Sequence, residues 1–299
     1  MNWKLSRLAA AVSILAVSSA WADDPFFFST GNVTNAIAMA SRPDAPGMPE
    51  IEAADDFLLS QPTSITSATF TGLVTSGAAL STIDAVAVEI YRIFPLDSDV
   101  GRTSGAPTFS TSQVATRVNS PSDVVFASRE SSAAGELSFS TATLNPSFAA
   151  SNSVLNGINK LPSTVTGGEG PVTGREVQFT VNFPTPLVLP ADHYFFIPQV
   201  QVTGGDFYWL SGTRPIVAPG TPFAPDLQTW MRNAALDPDW LRVGTDIVGA
   251  GTFNGAFTLT GTVAAVPEPE TAALMLLGLA MVGGVARRRR VTGRSCRPC

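Results

Sequence analysis

Ala85-Val86-Ala87-Val88-Glu89-Ile90-Tyr91-Arg92-Ile93-Phe94 decides the fold. Read with a period of two, it puts Val86, Val88, Ile90 and Arg92 on one face and Ala87, Glu89, Tyr91 and Ile93 on the other. Side chains that alternate in this way belong to a β-strand. Working outward, similar runs lie upstream at Ala54–Leu59 and Ser64–Gly72. Downstream they recur at Glu136–Thr143, Glu176–Phe183, Tyr194–Val202, Phe207–Leu210 and Phe257–Val263. Each is rich in Val, Thr and aromatics and is bounded by Gly, Pro, Asn or Asp, the usual limits of a strand. Asp226–Ala235 alone approaches helical spacing. Prolines at 43, 46 and 49 make the stretch 23–53 read as irregular. The expected class is all-β, an antiparallel β-sandwich of jelly-roll type over residues 54–265.

Composition limits what that domain can do. Between Asp23 and Ala265 there are 22 Asp and Glu against 10 Lys and Arg, a net charge of −12, twice the −6 of the whole chain. So acidic a surface repels nucleic acid and anionic lipid, which excludes both as partners. The domain has no cysteine, and its 243 residues are enough to bury a core without disulfide staples.

The two ends have a different character. Lys4 and Arg7 precede an apolar run, Leu8–Val17, and Ala20-Trp21-Ala22 supplies a small-x-small cleavage site. Residues 1–22 therefore read as a secretory signal peptide, with Asp23 starting the mature chain. At the other end stands VPEPETAALMLLGLAMVGGVARRRR, Val266–Arg290. Pro267-Glu268-Pro269 is stiff and cannot lie inside a helix. Residues 271–286 are uncharged and apolar, about 24 Å long as a helix at roughly 1.5 Å per residue. That is short for a hydrocarbon core of about 30 Å, but long arginine stems make up part of the gap. Arg287, Arg288, Arg289 and Arg290 keep that end cytoplasmic, with a tail at 291–299. The expected topology is an exported domain held at the inner membrane by a transmembrane helix over 271–286. The alternative is a plain single-span anchor that no enzyme cuts.

A Pro-Glu-Pro, a short hydrophobic helix and an arginine cluster in that order at the C-terminus resemble the PEP-CTERM sorting signal of Gram-negative bacteria. The resemblance covers about 25 of 299 residues. It implies recognition by an exosortase, a membrane-embedded cysteine protease-transpeptidase, in organisms that make extracellular polysaccharide and biofilm. The chain would then be that enzyme's substrate, anchored transiently and delivered to the outer envelope, cell surface or extracellular matrix.

Residues able to do chemistry in the domain are few. His193 is the only histidine and no G-x-S-x-G elbow accompanies it, so a nucleophilic triad has no support. One histidine without domain cysteines or H-E-x-x-H leaves zinc without ligands. Cys296 and Cys299 stand in the tail without a redox context. The glycines at 167, 168 and 170 surround Glu169, which would repel a phosphate. Asp97-Ser98-Asp99 and Asp237-Pro238-Asp239 offer oxygen to calcium, the one cofactor the residues admit. Trp209, Trp230 and Trp240 crowd near Tyr208 and Phe207, and such rings either pack a core or stack on sugars. Trp230 and Trp240 are thus candidate glycan contacts. The expected function is structural or adhesive and not enzymatic, with a polysaccharide-binding module as the alternative. A secreted carbohydrate-active enzyme with an unrecognised carboxylate pair is a further rival.

Overall fold

The computed structural model describes residues 24–75, 78–98, 113–161, 164–214, 227–264, 278, 279 and 281. The chain is mostly β. In order the strands are β1 (Asp24–Ser29), β2 (Val33–Ala40), β3 (Ile51–Leu59), β4 (Thr63–Thr75), β5 (Ile83–Arg92), β6 (Ala127–Glu130) and β7 (Ser138–Ala150). They continue with β8 (Ser153–Val154), β9 (Val172–Leu189), β10 (Asp192–Val202), β11 (Phe207–Gly212), β12 (Trp230–Asn233), β13 (Leu241–Arg242) and β14 (Phe257–Val263). All eight alternating runs of the sequence fall on strands of this set.

The strands form two sheets, antiparallel except where β2 meets β8. In the first, β9 follows one edge of β4, while β14 and β11 succeed each other along the other edge. β1 lies outside β14, β2 outside β11, and β7 outside β9. The second sheet runs β13-β12-β3-β10-β5-β6. Aromatic rings from the two sheets meet in one core. Phe196 of β10 stacks on Phe257 of β14 at 4.9 Å and meets Trp209 of β11 edge-on at 6.1 Å. Phe57 of β3 lies 6.2 Å from Phe28 of β1. Full burial of such a side chain stabilises by about 1.5–3 kcal/mol, so this seam supplies much of what holds the sheets together.

β5 shows why alternation was informative and where it fell short. Val86, Val88 and Ile90 enter the main core, as one face requires. The opposite face is covered as well, since Tyr91 and Ile93 join Phe195, Ile197, Trp230 and Trp240 in a second apolar cluster. Arg92 stays half-buried, its guanidinium 4.3 Å above the Phe126 ring and paired with Asp97 and Asp192.

Two expectations are corrected. The stretch 23–53, expected to be irregular, contains β1, β2 and the first residues of β3. Its partners lie far away in sequence, Asp24 opposite Val263 and Phe28 opposite Leu259, so local pattern says little about it. The three prolines fall between β2 and β3, where no ladder needs their missing N–H. The helical spacing of Asp226–Ala235 gives no helix over its described residues. Trp230–Asn233 pairs with β3 instead, and Asn233 closes a turn by accepting from the amides of Ala235 and Leu236.

No helix among the described residues is long and apolar enough to cross a membrane. The expected span 271–286 lies outside the described residues except for Gly278, Leu279 and Met281. Ala20, Ala22, Pro267, Glu268, Pro269, the four arginines 287–290 and Asp99 also lie outside them.

Candidate functional site

The residues singled out from sequence do not converge. Trp230 and Trp240 are each 1% exposed and belong to the second apolar cluster, so neither offers a ring face to a sugar. Trp240 donates its indole N–H to the Ser122 carbonyl at 3.2 Å and meets Tyr91 edge-on, a core arrangement. The described aspartates of the two D-x-D loops are likewise engaged elsewhere. Asp97 sits 3.6 Å from the Arg92 Nε, Asp237 2.8 Å from Arg232 Nη1, and Asp239 2.7 Å from Arg117 Nη1. Their oxygens serve different guanidiniums and do not gather around one point. His193 lies inside the fold with Nε2 2.5 Å from Asp56 Oδ2, while Asp56 Oδ1 accepts from the Leu227 amide at 2.7 Å. That pair ties β10, β3 and the start of the 227–240 segment together.

A different set of residues does converge, on the second face of the six-stranded sheet. Glu50, just before β3, and Glu52, on its second residue, converge with Glu89, which comes from β5 on the far side of β10. One carboxylate oxygen from each lies within 4.8 Å of the other two. Arg232 of β12, opposite Glu52 in the ladder, donates through Nε to Glu52 Oε2 and through Nη2 to the Tyr91 hydroxyl at 2.7 Å. The Tyr91 hydroxyl in turn donates to Glu89 Oε2 at 3.2 Å. Gln199 of β10 donates to Glu50 Oε1 at 2.8 Å. The Arg232 guanidinium lies 4.4 Å above the Trp240 ring, so the aromatic cluster forms the wall of the polar one.

The electrostatics follow from crowding like charges out of water. Burial, then the charges of Glu52 and Glu50, push Glu89 up to about 8. Burial and Glu52 raise Glu50, and burial with Glu52 raises the Tyr91 phenol. Burial works against charge on Arg232, but Glu52, Tyr91 and Asp237 more than offset it and raise the group. The sequence carried one signal for this site: Glu89 is a charged residue on a strand face otherwise made of Ala87, Tyr91 and Ile93. The partners two strands away were invisible without the register.

A second feature lies on the eight-stranded sheet. A cleft of about 430 Å³ is lined by Ser29, Asn32, Thr69, Thr71, Glu176 and Gln178, with Phe70 and Phe257 also on its wall. The ladders place Ser29, Thr258, Thr69, Thr180 and Ser140 side by side across five strands. Cross-strand hydroxyl contacts link this face, Thr258 to Ser29 at 3.2 Å and Ser67 to Thr260 at 2.5 Å. Glu176 is the carboxylate in the cleft, and burial raises it.

Residues 265–290 match the PEP-CTERM protein-sorting motif. No curated protein and no solved structure shows significant similarity to the chain.

Proposed function

We propose that this chain, which carries a PEP-CTERM protein-sorting motif at 265–290, is a structural or adhesive protein of the cell envelope or extracellular matrix. The motif implies sorting by an exosortase and export, and it is the observation that carries the reading. Residues 1–22 act as the signal peptide in this account, and residues 271–286 as a transient transmembrane anchor. The exosortase removes or exchanges that anchor near Pro267-Glu268-Pro269. The mature domain is a jelly-roll-like β-sandwich without catalysis of its own. In support stand the acidic, cysteine-free composition of residues 23–265 and two aromatic-packed, mainly antiparallel sheets.

The test is intact-mass and fractionation analysis of the native protein in hosts with and without the exosortase. The expected result is a chain shortened near Pro267 outside the inner membrane in the first host. In the second host the chain keeps its C-terminal segment and stays in the inner-membrane fraction. Identical full-length, inner-membrane protein in both would overturn the reading.

A second reading, polysaccharide binding, is favoured by the uncharged hydroxyl rows and the polar cleft on the eight-stranded sheet. Its volume falls within the range of about 300–1,000 Å³ in which small-ligand sites occur. Retention on a polysaccharide column, lost in Gln178→Ala or Asn32→Ala with unchanged melting, supports that reading. Passage of the wild-type chain straight through refutes it, and release of reducing sugar would point to the enzyme instead.

A further inference from the structure

We propose that Glu50, Glu52 and Glu89 hold a divalent cation, calcium by their chemistry, on the outward face of the six-stranded sheet. The inference goes beyond the sorting reading and does not depend on it. Geometry is the first ground. Calcium takes oxygen ligands at about 2.3–2.6 Å, so two ligands opposed across one ion stand roughly 4.6–5.2 Å apart and adjacent ones closer. The three carboxylates offer oxygens that all lie within 4.8 Å of one another. Donors made of oxygen alone suit calcium, magnesium or manganese and not the softer metals.

The second ground is independent of the clustering. Glu52 has a side chain only 3% exposed, and its Oε2 accepts from Arg232. Its Oε1 is buried and accepts from no N–H among the described residues. That carboxylate stands within hydrogen-bonding reach of Glu89 and the Tyr91 hydroxyl, so it faces into the cluster. The Tyr91 proton, however, goes to Glu89. An anionic oxygen held out of water is costly, and where no N–H reaches it, either a proton carried by Glu89 or a metal ion satisfies it.

Charge points the same way. The Arg232 guanidinium pairs with Glu52 and Asp237, and Glu50 and Glu89 form no ion pair among the described residues. A doubly charged ion between them balances the remainder. Gln199 steadies Glu50 and Tyr91 steadies Glu89, the kind of outer support that metal-binding carboxylates ordinarily have. Glu50 and Glu89 are half-buried, so the ion reaches the site from solvent past them. Once bound it would clamp the start of β3 to the middle of β5 across β10.

The test uses the full chain stripped with chelator and titrated with terbium, a luminescent stand-in for calcium. Tyr91 and Trp240 lie beside the site and serve as antennae, so aromatic excitation should yield terbium emission that calcium displaces. Calcium should also raise the melting temperature, because it binds the folded chain. Glu89→Gln keeps the shape of the side chain and removes the charge, and it should melt normally without metal. It should lose at least about ten-fold in calcium affinity, as should Glu52→Gln, which also melts lower without metal because it strands buried Arg232. Absence of both sensitised emission and a melting shift in the wild-type chain overturns the proposal, leaving protons as what neutralises the carboxylates. So does emission that persists in the double variant Glu52→Gln/Glu89→Gln, since that signal would come from acids elsewhere on the surface.

Discussion

Arg117 is 0% exposed, yet its guanidinium is held by Asp239 at 2.7 Å and by Asp123, with the Phe94 ring 4.3 Å beneath it. A buried charge with its partners is close to neutral for stability, whereas removing one partner strands the others. Arg117→Ala should therefore lose about 3–5 kcal/mol in a urea titration. A loss within about 0.5 kcal/mol, as at an ordinary surface position, would show that the two aspartates find water instead. Trp230 and Trp240 make the contrasting case. Both are 1% exposed, so Trp230→Ala and Trp240→Ala should each destabilise by about 3–5 kcal/mol, read from chemical denaturation. A variant that melts normally and loses only carbohydrate retention would restore the sugar-stacking role. The distinction is burial, which ring chemistry in the sequence leaves open.

At the scale of strands, close approach is the sensitive feature. Gly255 lies under the Trp209 indole, where an added Cβ would come within 2.3 Å of the ring. Trp209 donates its indole N–H to the Ala256 carbonyl at 3.0 Å, so the ring has little room to retreat. Gly255→Ala should cost about 1–3 kcal/mol by overpacking, measured as a fall in the urea midpoint. Near-wild-type stability would mean that β11 and β14 shift apart freely. Strands with local alternation, such as β4, β5, β9 and β10, were legible in the sequence because each has one apolar face toward a core. β1 and β2 were not, because their partners lie far along the chain and their own alternation is weak. The Glu50, Glu52 and Glu89 cluster escaped for a related reason. Glu50 precedes β3, Glu52 lies on it and Glu89 on β5, with β10 between, and only the ladder order joins them. Asp237-Pro238-Asp239 was ambiguous because aspartates two apart suit both calcium and arginine, and the arginines they pair with, Arg232 and Arg117, were unseen.

On the scale of the whole molecule, all three tyrosines, Tyr91, Tyr194 and Tyr208, resist ionisation. Burial, then nearby carboxylates, push Tyr194 and Tyr208 up to about 12, and Tyr91 is raised as well. In the unfolded chain these phenols ionise near about 10. The stability they contribute is complete below that value and is lost as pH rises towards 12, because the unfolded chain gives up its protons first. Phenolate absorbance should stay flat in the folded chain at a pH where the urea-unfolded chain is already half titrated. Coincident titration curves would show that the rings are open to solvent. One pairing has a consequence for how the domain is made. Among the described residues β1 is the first strand synthesised and β14 the last, yet Asp24 faces Val263 and Ser29 faces Thr258 across a single ladder. Closing so long a loop is slow, and until then β1 has neither edge paired. A chain threaded outward from its N-terminus would carry this unzipped margin until the final segment emerged, so the domain would seal only when its passage was complete.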